Sequence, residues 1–176
     1  MTVIDEFEEH RQDLEDLLVE VLGSLLGADE VAPGWDEPLE DTPVLASQLA
    51  IFDREDGSYT MVEIQSPLLV GRLIGSQLLG VANPSPEDLL DVIAELGNIL
   101  AGNVKSLVRH SCRLSLPTAD AHERPRPSAG RGVRVTASVL GSTIELTVRS
   151  AGADEPGPDV CWPGSENYDE VMETQP

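Results

Sequence analysis

DVIAELGNILAGNVKSL, residues 91–107, spaces its apolar residues as a helix does, yet it carries Gly-Asn twice, as Gly97-Asn98 and Gly102-Asn103. Gly costs a helix interior about 1 kcal/mol relative to Ala, and Asn is also a poor helix former. Just upstream, Ser85, Pro86, Glu87 and Asp88 supply a cap, a proline suited to the first turn, and acids for the positive end of the helix dipole. A helix is therefore expected from 86 to about 109. Projected at about 100° per residue, Leu89, Ile93, Leu96, Leu100, Val104 and Leu107 make a core stripe, which Val92 and Ile99 widen. Asp91, Glu95, Asn98, Gly102 and Lys105 collect on the opposite side, within a sector of roughly 80°.

That projection separates the two Gly-Asn pairs. Asn103 borders the apolar stripe and reads as a partly buried amide bonded to neighbouring backbone. Asn98 points outward, one turn from Glu95, where Glu, Lys or Ala would serve a helix better. Gly102 lies one turn beyond Asn98 on the same ridge, and its missing side chain leaves a flat spot that a partner surface can approach. A carboxylate, a carboxamide and a gap on one ridge form a small docking and catalytic edge.

Working outward, residues 4–26 form an acidic amphipathic helix with Ile4, Phe7, Leu14, Leu17, Leu18, Val21, Leu22 and Leu25 on its apolar side. Residues 27–41 read as an acidic loop. VLASQLAIF and SYTMVEIQ flank the turn DREDG, a hairpin expected at about 44–52 and 58–65. In SPLLVGRLIGSQLLG, Ser66 reads as a cap and Pro67 as the first helical residue, with the helix running to about Leu79. RLSLP (113–117) reads as a short strand and the Pro-rich segment 118–130 as a loop. GVRVTASVL and STIELTVRS alternate in period two around Gly141-Ser142, a second hairpin. From Ala151 the chain is Gly, Pro and acid, a tail expected to be disordered, with Trp162 and Tyr168 as its aromatic residues.

Composition narrows the function. The 176 residues suit one core, and with aromatics at 3% that core must be aliphatic. A formal net charge of −21 argues against nucleic acid and against anionic membrane surfaces, since phosphate binding relies on clustered Lys and Arg. No apolar run reaches membrane-span length, and MTVIDEFEEH lacks the parts of a secretory signal, so a cytoplasmic protein is expected. Cys112 and Cys161 show no metal-ligand spacing, and Cys112 reads as a small buried thiol entering a strand. His10, His110 and His122 are scattered, with Arg109 and His110 near the C-terminal end of the expected helix, where the dipole favours cations.

The stretch 91–107 closely resembles the signature helix of the CheC/CheX/FliY chemotaxis phosphatase family, an acid or Ser followed by ExxN, at Asp91, Glu95 and Asn98 here. MVEIQSPLLVGRLIGSQLLG resembles the strand and helix before that signature, CRLSLPT the return to the sheet, and NILAGN is typical of the CheX branch. The similarity covers about residues 42–150, a CheX-like domain flanked by an acidic N-terminal helix and loop (1–41) and the tail (151–176). It implies an α+β fold in two layers, an antiparallel sheet with helices on one face. It also implies hydrolysis of the aspartyl-phosphate of a CheY-like response regulator. Asn98 would orient the attacking water, Glu95 would pair with the regulator's Lys, and Asp91, Gly102 and Lys105 would complete the docking edge. No cofactor is expected in this chain, because the Mg²⁺ would be held by the partner receiver domain. A homodimer through the sheets is also implied. The helix at 67–79 offers Gln77 but no second ExxN, so one site per subunit is expected. The rival readings are a non-catalytic receiver-binding or scaffolding module, and a structural dimer in which ExxN is residual.

Overall fold

The structure, a computed structural model, describes residues 7–34, 38–54, 57–108, 111–128 and 131–151. The expectations for Ile4, Arg109, His110, Cys161 and the acidic tail with Trp162 and Tyr168 lie outside those residues. Along the chain run α1 (Arg11–Leu26), β1 (Val31–Pro33), β2 (Val44–Asp53), β3 (Tyr59–Pro67), α2 (Leu68–Leu79) and α3 (Pro86–Leu107). They are followed by β4 (Cys112–Leu114), β5 (Thr118–His122), β6 (Gly132–Val139) and β7 (Ser142–Ser150). The strands form one sheet in the order β1-β6-β7-β3-β2-β4, with β5 also paired to β2, and every pairing is antiparallel. This is the expected α+β architecture.

Alternation in the strands decides which face is covered. Val62 and Ile64 of β3, Val133, Val135, Ala137 and Val139 of β6, and Ile144, Leu146 and Val148 of β7 all enter one aliphatic core. The helices supply its other side: Leu14, Leu18 and Leu22 from α1, Val70 and Ile74 from α2, and Leu89, Ile93, Leu96, Leu100 and Val104 from α3. α1 packs on β6 and β1 while α3 lies over β2. No break in the core falls at residue 42, because Phe7 and α1 are buried with the rest. Leu107 is half-buried at the rim of the stripe.

Four local expectations need correcting. The N-terminal helix is interrupted at His10 (φ −96°, ψ 20°), so residues 7–9 are helical and α1 starts at Arg11. The loop 27–41 contains a turn of 3₁₀ helix at Ala28–Glu30 and the edge strand β1, which pairs with β6 from Val31↔Val139 to Pro33↔Ala137. Ser66 does not cap α2: it is fully buried in β3, its hydroxyl donates to the Pro67 carbonyl at 3.3 Å, and the helix begins at Leu68. The segment 118–130 holds β5, which pairs with β2 from Gln48↔Thr118 to Val44↔His122. β1 and β5 share a cause for being missed. Both are short edge strands with mostly exposed side chains, so they are held by backbone pairing and show no apolar alternation.

The turns follow from residue chemistry. The second hairpin turns at Leu140-Gly141, both with positive φ (50° and 83°), the left-handed pair that a two-residue hairpin loop with the strands' own twist requires. Cys112 is buried at the start of β4, as expected.

Candidate functional site

α3 begins firmly. Asp88 N–H donates to the Ser85 hydroxyl at 3.1 Å, Ser85 N–H donates back to the Asp88 carboxylate at 2.8 Å, and Pro86 occupies the first turn. Hydrogen bonds from Ser85, its hydroxyl first and its backbone second, hold the Asp88 carboxyl below its ordinary value of 3.8. The buried side of the helix comprises Leu89, Val92, Ile93, Leu96, Gly97, Leu100, Ala101 and Val104. Its other side carries the five residues of the predicted ridge. Asp91, Glu95 and Asn98 are exposed, and Gly102 and Lys105 are half-buried. Lys105 sits in the last turn, where the dipole favours a cation.

The two Gly-Asn pairs divide their work in opposite ways. Asn103 is exposed rather than partly buried, and its amide donates to the Ile99 carbonyl one turn back at 2.8 Å. That bond is the local side-chain-to-backbone contact expected of a satisfied helical Asn. Asn98 has no hydrogen-bond partner among the described residues, and Glu95 has neither hydrogen bond nor ion pair among them. Of the two glycines in these pairs, Gly102 is the open one: a Cβ there would meet nothing within 4 Å. Gly97 is packed, since a Cβ there would lie 2.5 Å from Ser47 Oγ and 3.1 Å from Ser47 Cβ on β2. The role of Gly97 was not visible in the sequence, because the residue opposite it belongs to a strand some fifty positions away and only the fold pairs them.

The concave parts of the surface lie elsewhere. On the sheet face turned from the helices, a cavity of about 470 Å³ is lined by Pro38, Leu39, residues 125–128, and Arg134, Glu145 and Arg149, among others. Its polar groups are already engaged. Arg149 donates from Nε and Nη2 to Glu63 Oε1 at 2.9 and 2.6 Å, and the Ser128 hydroxyl donates to Glu63 Oε2 at 2.6 Å. Arg134 pairs with Glu145, while Gln65 accepts from the Arg126 backbone N–H and donates to its carbonyl. Glu63 and Arg149 are 6% and 4% exposed. The alternation of MVEIQ and STIELTVRS places these groups on one face, yet residues 125–128 cover them, which no local pattern announces.

Among the described residues, no group of three or more His, Cys, Asp or Glu side chains is placed to hold a metal ion, and no helix is long and apolar enough to cross a membrane.

A family model described as "Chemotaxis phosphatase CheX" matches residues 57–134, a span that includes β3, α2 and all of α3. No curated protein sequence matches the chain. Among solved structures, a CheC-like superfamily protein from Shewanella sp. PV-4 superposes with a TM-score of 0.63 at 18% identity, covering 86% of this chain and 100% of that one. The chemotaxis protein CheX from Vibrio vulnificus gives 0.61 at 13% identity, over 77% of this chain and 95% of that one. The CheX–CheY–BeF3–Mg²⁺ complex from Borrelia burgdorferi gives 0.58 at 16% identity, over 80% and 97%. The chain is CheX-like in its matched segment, and its fold is the CheC/CheX-like α+β fold.

Proposed function

We propose that this protein is a phosphatase that hydrolyses the aspartyl-phosphate of a CheY-like receiver domain, with Asn98 and Glu95 as its working pair. The observation that carries the reading is the outward ridge of α3. There, a carboxylate and a carboxamide one turn apart have no partners within the described protein, beside a glycine with open space above it. The CheX model match over the same helix and the similarity to a CheX–CheY complex support it.

Phosphoryl transfer asks a protein mainly for position and charge. The Asn98 amide can hold a water against the phosphorus, its Oδ1 accepting a hydrogen bond from the water while Nδ2 donates to a phosphoryl oxygen, and the water's protons pass to the released phosphate and solvent. The water oxygen bonds to phosphorus as the bond to the receiver's aspartate oxygen breaks, releasing inorganic phosphate. Glu95, free to extend, would pair with the receiver's Lys and fix the register of the helix. Asp91, Gly102 and Lys105 would border the contact. The Mg²⁺ would belong to the receiver. On this proposal the chain would act in the cytoplasm, beside its receiver. A homodimer through the sheets belongs to the same proposal.

The test is the decay of a phosphorylated CheY-like receiver from the same cell, measured with Mg²⁺ and with or without this chain. Faster decay is expected. Binding without faster decay would replace catalysis with a scaffolding role, and neither effect with any receiver of the host would end the proposal.

A further inference from the structure

We infer that Gly97 and Ser47 are positioning residues, a paired contact that sets how deeply α3 sits on β2 and thereby where Glu95 and Asn98 stand. The inference rests on the phosphatase reading above. The buried side of α3 is made of Leu, Val and Ile with one Ala, Ala101, but at Gly97 it carries no side chain. The residue opposite is Ser47, 2% exposed, whose hydroxyl has no hydrogen-bond partner among the described residues. Each is a poor choice by itself: glycine weakens a helix interior, and an unpaired hydroxyl is costly in an apolar layer. Together they are the small pair that lets a helix and a strand come close, at the residue immediately before Asn98.

The contact is also unforgiving. An alanine Cβ at 97 would stand 2.5 Å from Ser47 Oγ, which a rotation could relieve, but also 3.1 Å from Ser47 Cβ, which no rotation moves. Gly71 of α2 differs in kind, because its added Cβ would meet the tip of the flexible Leu45 side chain at 2.4 Å. A methyl group at 97 must therefore push Ser47 and the middle of α3 apart by a few tenths of an ångström, and the ridge moves wherever the helix is the side that yields. A shift of about 1 Å in a positioned catalytic group can cost about 100-fold in rate.

The experiment compares Gly97→Ala, the double variant Gly97→Ala with Ser47→Gly, and Ser47→Val, which crowds the contact from the strand and leaves α3 unaltered. The readouts are kcat and KM for decay of a phosphorylated CheY-like receiver with Mg²⁺, together with the melting temperature of each variant. Gly97→Ala is expected to lower kcat by about 10- to 100-fold with a smaller change in KM. The double variant should recover most of that loss, and Ser47→Val should reproduce it. A folded Gly97→Ala with undiminished kcat overturns the inference, as does a double variant that regains melting temperature without regaining kcat. Should Gly97→Ala fail to fold, Ser47→Val decides: full kcat there overturns the inference, and a lowered kcat upholds it. If the unaltered chain accelerates no receiver, the phosphatase reading falls first, an outcome distinct from all of these.

Discussion

The ridge of α3 and the outward face of the sheet are built from the same kinds of side chain, carboxylates and carboxamides, and differ in whether those groups have found partners. On the sheet, Glu63, Gln65 and Glu145 are tied to Arg149, Arg126 and Arg134. On the ridge, Glu95 and Asn98 are exposed and have no partner among the described residues. The larger hollow lies at the tied face, so a search guided by concavity alone would stop there. The contrast teaches that the edge proposed to enter a receiver's active site is marked by unspent polar groups on a rigid convex element, and on that proposal the partner would supply the concavity.

Five substitutions would break or sharpen this comparison. The largest effect is expected at the saturated face. Glu63→Ala removes the carboxylate that pairs with the buried Arg149 guanidinium, which should cost about 3–5 kcal/mol in a denaturant titration while receiver decay by the folded fraction is kept. Next comes Asn98→Ala, which should cut the stimulated decay rate by about 100- to 1000-fold, the usual loss of an oriented hydrogen-bonding group, with the melting temperature unchanged. Asn103→Ala is its control, because that amide only bonds its own helix. Loss of rate at 103 and not at 98 would invert the assignment.

Glu95→Ala should act mainly on KM, raising it by about 10-fold as one charged hydrogen bond to the receiver is lost. A fall in kcat alone would place Glu95 in the chemistry instead. The smallest effect concerns the start of α3. The Asp88 carboxyl is lowered by its bonds with Ser85, so its contribution is fully present above the ordinary value of 3.8 and is lost as pH falls through the lower folded value. The difference in melting temperature between the unaltered chain and Asp88→Ala should therefore be seen at neutral pH and vanish in acid. A difference that persists at low pH would mean the cap works through something other than the carboxylate.

Much of this organisation was legible beforehand, and the reasons it was or was not are physical. α3 could be read almost residue by residue because its cap, period and exposed acids are local signals. The hairpins β2–β3 and β6–β7 followed from alternation, although the second turn sits one residue earlier than Gly141-Ser142. β1 and β5 escaped because edge pairing through backbone leaves no imprint on side-chain pattern. Ser66 was misread because a serine before a proline looks like a cap wherever it stands, and here β3 simply runs on to Pro67. At the ridge, sequence distinguished Asn98 from Asn103 but could not see that Gly97, rather than Asn103, is the buried structural member of the two pairs. That fact exists only once α3 lies on Ser47.

The Glu63–Arg149 pair carries one further consequence, for time rather than for energy. The two residues are 86 positions apart and belong to the β3–β7 ladder that unites two hairpins, each of which can close locally within microseconds. Bringing such distant strands together is the slow part of assembling a sheet, and burying two charges suits its final stage, when water is already excluded. A bond formed so late holds the door from inside. Stopped-flow traces of Glu63→Ala are expected to show faster unfolding and nearly unchanged refolding, so that the latch governs how long each native molecule lasts.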